Sequence, residues 1–488
     1  MDIVFIHGCV TESPRLFRNL GPYQVAWYLR EHGYSAQVID FAHLLTKEQL
    51  LSSITKFVTT DTKVIAWSLM GFLHVSGWWY KKVCLELIPE LKRRYPGVKI
   101  ITGGPGVHDS NTLTRNGKVF DYLFYGHAEN TMLAFMNQLY RNGPSLPFEL
   151  NNGNKIIREN FADKLLDKKF DICTCAHRWH DNDCIQPGES LPIELSRGCI
   201  FKCKFCRYPY IGKTKNDFTR SMDEIAAELE YNYNKWGIKN YYMLEDTVND
   251  RNDKLESFNK MIKQLPFKIG FSAYLRPDLL YSQPGQAELL EDSGLIGAFL
   301  GIESFGREAA DLIGKPWSGK YGKEYIVRLN NEIWQRRVPF KVSMIVGIPP
   351  DTKQFLRETN QWFIDNEIQD WTWHLLNINR DINGPWVSDF DRNADEYGFS
   401  WMIENGKTVW KTEYMTYPEG RDLKDELNNI AKGYRVVDCW AVLERGSIGY
   451  DPFVDRYTKV RDIDHKESSE RRERFLLNYF KDLMKVPT

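Results

Sequence analysis

Two alternating series of apolar strands and amphipathic stretches run along this chain, separated by a polar interval. The first series occupies the first 135 residues. The strands "DIVFIHG", "SAQVIDF", "KVIAWSL", "VKIITGG" and "FDYLFYG" are spaced by stretches with helical periodicity near 21–32, 47–58 and 79–95, and "ENTMLAFMNQLY" follows. Continuous apolar strands joined by helices predict an open, parallel, doubly wound Rossmann-like sheet. Periodicity fades from about 140 to 190, which reads as a connector.

The second series has six strands: 191–196, 239–245, 267–274, 297–303, 340–347 and 369–376, each gap long enough for a helix. The first of those helices opens with Ser221 and Glu224 at capping-box spacing and repeats Ile225, Leu229 and Tyr233 on one face. Pro284 stands at the expected first turn of another. Six β/α units predict a partial (β/α)6 TIM-type barrel, a fold in which chemistry sits at the C-terminal ends of the strands. From 377 the chain is rich in Trp, Tyr and charge, with weak periodicity until a terminal helix near 467–485. The expected organisation is therefore α/β: a Rossmann-like domain over 1–140, a connector over 141–190, a partial barrel over 191–376, and a small α-rich lid or appended domain over 377–488.

Composition narrows the function. The chain has 488 residues, and 64 Lys plus Arg stand against 65 Asp plus Glu, a formal charge of −1, so charge makes no case for nucleic acid or an anionic membrane surface as partner. The opening "MDIVFIHGC" lacks the basic region of a secretion signal, so the mature chain is expected to begin at Met1. The most apolar stretch, 64–80, is shorter than the ~20 residues a bilayer span needs and carries Ser68, His74 and Ser76. Nine unevenly placed cysteines suggest reduced thiols or metal ligands, and the expected compartment is the cytoplasm.

The chemistry concentrates in "SRGCIFKCKFCRYP" (196–209), three residues past the first barrel strand. Cys199, Cys203 and Cys206 are three soft ligands, and no fourth cysteine follows within thirty residues. A four-iron cube takes one thiolate per iron, so three leave one iron open to a reacting molecule. Gly198 allows a tight turn into the loop, and Lys202, Lys204 and Arg207 bring positive charge to it. A zinc site would need one more ligand. "CTCAHRWHDNDC" (173–184) offers Cys173, Cys175, His177, His180 and Cys184, which are also candidates for a second metal of their own. Cys9, Cys84 and Cys439 are isolated and read as small hydrophobes.

The C-x3-C-x2-C loop, with Phe205 before its last cysteine, resembles the signature of the radical SAM superfamily. That resemblance implies a 4Fe-4S cluster whose open iron takes S-adenosyl-L-methionine, with reductive cleavage to a 5′-deoxyadenosyl radical that abstracts hydrogen. It also implies an electron donor such as flavodoxin or ferredoxin. By the family pattern Phe205 lies on the adenine side. "YMLEDTVND" stands where the family has a Gly-Gly-Glu-like motif for the methionyl amine, which leaves Glu245 or Asp246 to serve. "LRPDLL" places Arg276 after the third strand. "GIES" puts Glu303 and Ser304 near the ribose, and "IVGIPPDT", similar to the family's "GLPGET" stretch but departing from it at Pro350 and Asp351, puts Gly347 and Ile348 near adenine.

The first 135 residues resemble the cobalamin-binding-type domain that precedes the barrel in one radical SAM subgroup. The features are "GPYQVAWYLREHGY" with "VIDF", Ser68 at a strand end, Gly103 and Gly104 in "GGP", and Gly126 and Glu129 in "GHAE". Small residues at those ends suit a nucleotide-like tail. "HVSG" (74–77) has Phe72 where a cobalt-ligating motif needs Asp, so His74 reads as a loop histidine. With cobalamin bound the resemblance implies methyl transfer to an unreactive carbon or phosphorus; without it, a rearrangement, cyclisation or C–H functionalisation. A zinc-stabilised binding protein on the same scaffold is the reading from another class. Trp371, Trp373, His374, Asn377 and Arg380 at the sixth strand are substrate candidates by position, with packing the competing role.

Overall fold

The computed structural model describes residues 1–8, 16–69, 79–104, 119–151, 153–207, 218–380, 387–434, 448 and 465–488. His74, Phe72, Cys9 and Cys439 lie outside these residues. The chain divides into two compact units: Met1–Pro192 with Tyr231–Ile238 and Ser469–Thr488, and Ile193–Glu230 with Lys239–Ser468.

In the first unit, β1 (Ile3–His7), β2 (Ala36–Ile39), β3 (Val64–Ser68), β4 (Lys99–Gly103) and β5 (Tyr122–Tyr125) join β6 (Glu149–Asn151) and β7 (Asn154–Arg158) in one sheet ordered β2-β1-β3-β4-β5-β7-β6. All pairs are parallel except β6 with β7. Every residue of β1 is buried, which explains why it reads as an unbroken apolar run. The helix Lys47–Phe57 begins where Thr46 and Gln49 cap each other reciprocally. The stretch expected to be plain connector instead supplies the β6–β7 hairpin, which extends the sheet beyond β5. The reversal of strand order between β1 and β3 creates a crevice outside their C-terminal ends, the usual ligand position in such sheets.

The first unit also holds the terminal helix residues. Tyr479 is fully buried, and its hydroxyl accepts the Asp40 backbone N–H at 2.8 Å. Arg18, itself fully buried, pairs with Glu189 at 2.8 Å and is faced by the rings of Tyr23, Phe41, Phe475 and Tyr479. The region expected as one piece from 377 onward is thus divided between the two units.

A second sheet holds β8 (Ser190–Ile193), β9 (Asn240–Met243), β10 (Gly270–Leu275), β11 (Leu295–Glu303), β12 (Phe340–Val346) and β13 (Trp371–Leu375) in sequence order, with β9 to β13 in the second unit. The order has two edges, so this is an open partial barrel rather than a closed one. At the β13 edge, Asn428 accepts the Trp373 N–H at 3.0 Å and donates to the Trp373 carbonyl at 2.9 Å, covering backbone that would otherwise invite another strand. Asn428 belongs to the helix Tyr417–Tyr434. Before it, β14 (Ser400–Glu404) and β15 (Lys407–Lys411) form an antiparallel hairpin that turns at Asn405 and Gly406, both with positive φ. The α-rich region therefore contains a β-hairpin. Pro284 lies two residues before the helix Gln286–Asp292, with Gly285 as its N-cap.

Candidate active site

The cysteine loop leaves the end of β8 as a braced strap. Gly198 turns with φ +80°, a conformation that side chains resist. Ser196 bridges Thr219, Arg197 N–H donates to Phe218 O at 2.9 Å, and Lys204 N–H donates to Ile313 O at 3.2 Å. Lys204 and Arg207 are ion-paired at 2.6 and 3.0 Å with Asp389 and Asp391, so part of the basic charge in the loop anchors it to the segment after β13. Cys199, Cys203 and Cys206 are each partly buried and none is in a disulfide.

Glu245, just past β9, is 2 % exposed and accepts the backbone N–H groups of Leu195 and Ser196 through one carboxylate oxygen. Its second oxygen is buried without a partner, and burial pushes the carboxyl pKa up to about 7 against the pull of Lys254. Asp246 beside it is half-buried. Thr247 places its hydroxyl 3.5 Å from the Cys199 sulfur.

Arg276, after β10, donates from Nη1 to the Cys203 sulfur at 3.2 Å while Asp278 holds the other edge of its fork at 3.0 and 2.7 Å. Glu303, at the end of β11 with φ +74°, receives Lys315 at 3.0 Å and the Ser343 hydroxyl at 3.4 Å. Lys315 also donates to the Gly301 carbonyl and lies 5.9 Å from the centre of the Phe205 ring. Ser304 is fully buried and donates to Asp351 at 2.6 Å. Gly347 has φ +107°, and a Cβ there would lie 2.6 Å from the Trp410 indole; Ile348 is fully buried. The structure thus brings the cysteines, Phe205, Asp246, Arg276 and Glu303 to the strand ends, and it commits Glu245 and Ser304 to internal hydrogen bonds. Sequence reasoning missed Lys315; its position twelve residues after Glu303 carried no motif.

On β13 the alternation of faces separates the substrate candidates. Trp371 and Trp373 are buried, and both donate to Asn360 Oδ1 at 2.7 and 2.9 Å, a packing role. His374, on the opposite face, is exposed, as are Asn377 and Arg380. The His374 ring keeps an exposed edge, yet desolvation by the surrounding wall, with the charges of Lys341 and Lys424, brings its pKa down to about 4. Tyr274 and Phe299, paired across β10 and β11, meet with ring centres 4.9 Å apart, and Tyr274 remains 36 % exposed.

In the first unit, register brings His7, Ser68 and Gly103 side by side at the ends of β1, β3 and β4. His7 is fully buried, its pKa pushed down to about 3 by burial, and its Nε2 lies 2.7 Å from the Asn19 amide. A Cβ on Gly103 would come within 3.1 Å of Phe124. Gly126, with φ +89°, makes room for Glu159, whose carboxylate accepts the His127 N–H at 3.1 Å. Glu129 is buried at the start of the helix Glu129–Tyr140.

The Cys and His residues of 173–184 do not gather. Cys175 accepts from Gln24 at 3.1 Å, His177 packs edge-on between Trp27 and Trp179, His180 caps a short turn, and Cys184 takes a left-handed backbone at φ +53°. Among the described residues, no three His, Cys, Asp or Glu side chains converge on a single metal ion. Cys84 is buried, and burial pushes its pKa up to about 12, the state of a small hydrophobe.

Three cysteines on a braced loop thus stand at the mouth of an open, parallel partial barrel. Residues 193–363 match the family model of the Radical SAM superfamily. The chain is 25% identical over 287 residues to an uncharacterized methyltransferase of Synechocystis, covering 57% of this chain and 49% of that protein, and 24% identical over 168 residues to one of Pyrococcus horikoshii, covering 34% and 35%. It therefore spans about half or less of the curated relatives it matches. In fold it is similar to the radical S-adenosylmethionine methyltransferase TsrM of Kitasatospora setae, with a TM-score of 0.62, 14% identity, and coverage of 83% of this chain and 80% of that one. It is also similar to the cobalamin-dependent S-adenosylmethionine radical enzyme OxsB, with a TM-score of 0.57, 12% identity, and coverage of 99% and 80%. At these identities the likeness is one of fold, and it extends over most of a chain that carries both a Rossmann-like sheet and an open partial barrel. No helix among the described residues is long and apolar enough to cross a membrane.

Proposed function

We propose that this chain is a radical S-adenosylmethionine methyltransferase that holds a 4Fe-4S cluster on Cys199, Cys203 and Cys206 and cobalamin at the strand ends of its N-terminal sheet. The observation that carries the reading is the donor set: three cysteines outside any disulfide, on one loop fixed at both ends, at the C-terminal edge of a barrel strand. Three thiolates suit a cube, which takes one per iron and leaves one iron open, whereas a structural zinc needs a fourth ligand.

When bound, the cluster supplies one low-potential electron, received from a flavodoxin- or ferredoxin-type donor, for cleavage of S-adenosylmethionine. The residues of the chain bind and orient. Asp246 is assigned to the methionyl amine, because Glu245 is committed to the loop backbone. Lys315, fixed by Gly301 and Glu303, sets a cation beside Phe205 for the methionyl carboxylate. The open wall with Tyr274, Phe299 and His374 receives the substrate. In the first unit, the β1/β3 reversal with Ser68, Gly103 and Gly104 gives cobalamin an approach to the backbone. Cobalamin is supported by the fold likeness to TsrM and OxsB, both described with cobalamin bound.

Anaerobic reconstitution of the full chain tests the reading. Expected are four irons and four sulfides per chain, a retained corrinoid spectrum, and S-adenosylmethionine-derived 5′-deoxyadenosine or S-adenosylhomocysteine in the presence of substrate. Cys203→Ala should lower iron content and product at least tenfold, a loss expected when one of three cluster ligands goes. Full loading with no cleavage product from any candidate substrate would reject the enzyme reading. Loading with cleavage but no corrinoid would reject methyl transfer in favour of a cobalamin-free rearrangement or C–H functionalisation.

A further inference from the structure

Building on that reading, we infer that Arg276 sets the reduction potential of the cluster by hydrogen-bonding the Cys203 sulfur, instead of serving as a ligand of S-adenosylmethionine. Its Nη1 lies 3.2 Å from Cys203 Sγ, a normal distance for a donor to sulfur. The side chain has little freedom to leave. Asn249, fully buried, grips the Arg276 backbone from both sides, accepting its N–H at 2.8 Å and donating to its carbonyl at 3.0 Å. Asp278 takes the Nε and Nη2 edge, and the guanidinium carbon sits 3.9 Å from the centre of the Phe201 ring within the loop. Only 9 % of the side chain is exposed.

The direction of the effect follows from charge. Reduction adds one electron to an already anionic cluster, and a donor aimed at its sulfur stabilises the more negative state, raising the potential. Asp278 offsets part of the guanidinium charge but lies on the opposite edge of the fork, so the positive end of the pair faces the sulfur. The guanidinium itself is buried and its contacts are part-buried, so water screens them less than it would in bulk. Lysine, with one compact charge, cannot hold Asp278 bidentately and reach the sulfur together.

The test uses the reconstituted full chain poised in a redox buffer, with the reduced cluster quantified by electron paramagnetic resonance. At a fixed potential near the wild-type midpoint, Arg276→Gln should lower the ratio of reduced to oxidised cluster roughly tenfold at equal iron content, with Arg276→Lys between the two. An unchanged ratio in the glutamine variant overturns the inference. Should that variant lose iron, the wild-type protein carries the test: guanidino-15N-labelled arginine should show a weak nitrogen coupling to the reduced cluster, and no coupling overturns it. A wild-type chain that assembles no cluster fails the proposed function itself, a different result from an assembled cluster indifferent to Arg276.

Discussion

The strand ends of the two units are built in opposite ways. At the barrel ends the charged groups whose partners are known are tied down: Arg276 to Asp278 and Cys203, Glu303 to Lys315 and Ser343, Glu245 to two backbone N–H groups, Asp351 to Ser304. At the ends of β1, β3 and β4 stand His7, Ser68 and Gly103, with His7 held neutral by burial. A ring of fixed charges suits a small, highly charged guest gripped at a few atoms, because preset dipoles need no reorganisation on binding. Small neutral ends suit a long tail lying against backbone. The two sets of strand ends thus differ in side-chain charge density, although the strands that carry them run parallel in both sheets.

The sharpest way to break this comparison is at Glu245. If its carboxylate pins the loop, Glu245→Ala leaves the Leu195 and Ser196 N–H groups buried without a partner, costing about 2–4 kcal/mol and lowering iron loading severalfold. Glu245→Gln keeps one acceptor oxygen and should retain most of the loading and of the affinity for S-adenosylmethionine. Thermal melts, iron content and binding titrations measure these together. A glutamine variant that loads iron yet loses binding would return Glu245 to the methionyl amine.

The first unit gives the next largest effect. Gly126→Ala puts a Cβ within 2.8 Å of the Glu159 Cβ and forces alanine to φ +89°. The cost should be about 1–3 kcal/mol, seen as a lowered unfolding midpoint in urea. Glu159→Gly in the same chain should recover part of it. If the single variant instead keeps its stability and loses corrinoid, Gly126 lines the ligand crevice and the passive view of that sheet end falls.

Much of this architecture was legible because parallel strands buried on both faces are mostly apolar, as β1 and β12 are outside His7, Lys341 and Ser343. The cysteine loop was legible because three ligands must be close in sequence to share one strap. Pairings made across the fold were not: Arg276 lies 73 residues from Cys203, and no local pattern links them. Burial was equally hidden. Glu245 and Ser304 have the right residue types and strand positions for a ligand, yet both are enclosed and already hydrogen-bonded. The β14–β15 hairpin had its signal, Asn405-Gly406 between alternating residues, but its strands lie amid charge and aromatic residues that blur a period of two. The β6–β7 pair is short and carries polar residues, as an edge does.

The smallest effect separates the two units by pH. Asp351 in the second unit and Asp40 in the first are both buried carboxyls with raised pKa values, about 7 and about 6. Burial is the main cause in each, but Arg18 and the Tyr23 hydroxyl pull Asp40 back, while Asp351 has the Ser304 hydroxyl alone opposing the shift. The folded chain thus holds a proton on Asp351 that the unfolded chain releases near pH 4. Its contribution to stability is full below that value and is lost as pH rises through about 7. Asn mimics the protonated acid at every pH. The advantage of Asp351→Asn over the wild type should be smallest near pH 4 and widen by about 2–3 kcal/mol between pH 5 and pH 8, read from urea unfolding across that range. Curves that stay parallel from pH 5 to 8 would mean the Asp351 carboxyl is ionised throughout, and that the barrel ends hold their acids as the Arg18 cluster holds Asp40.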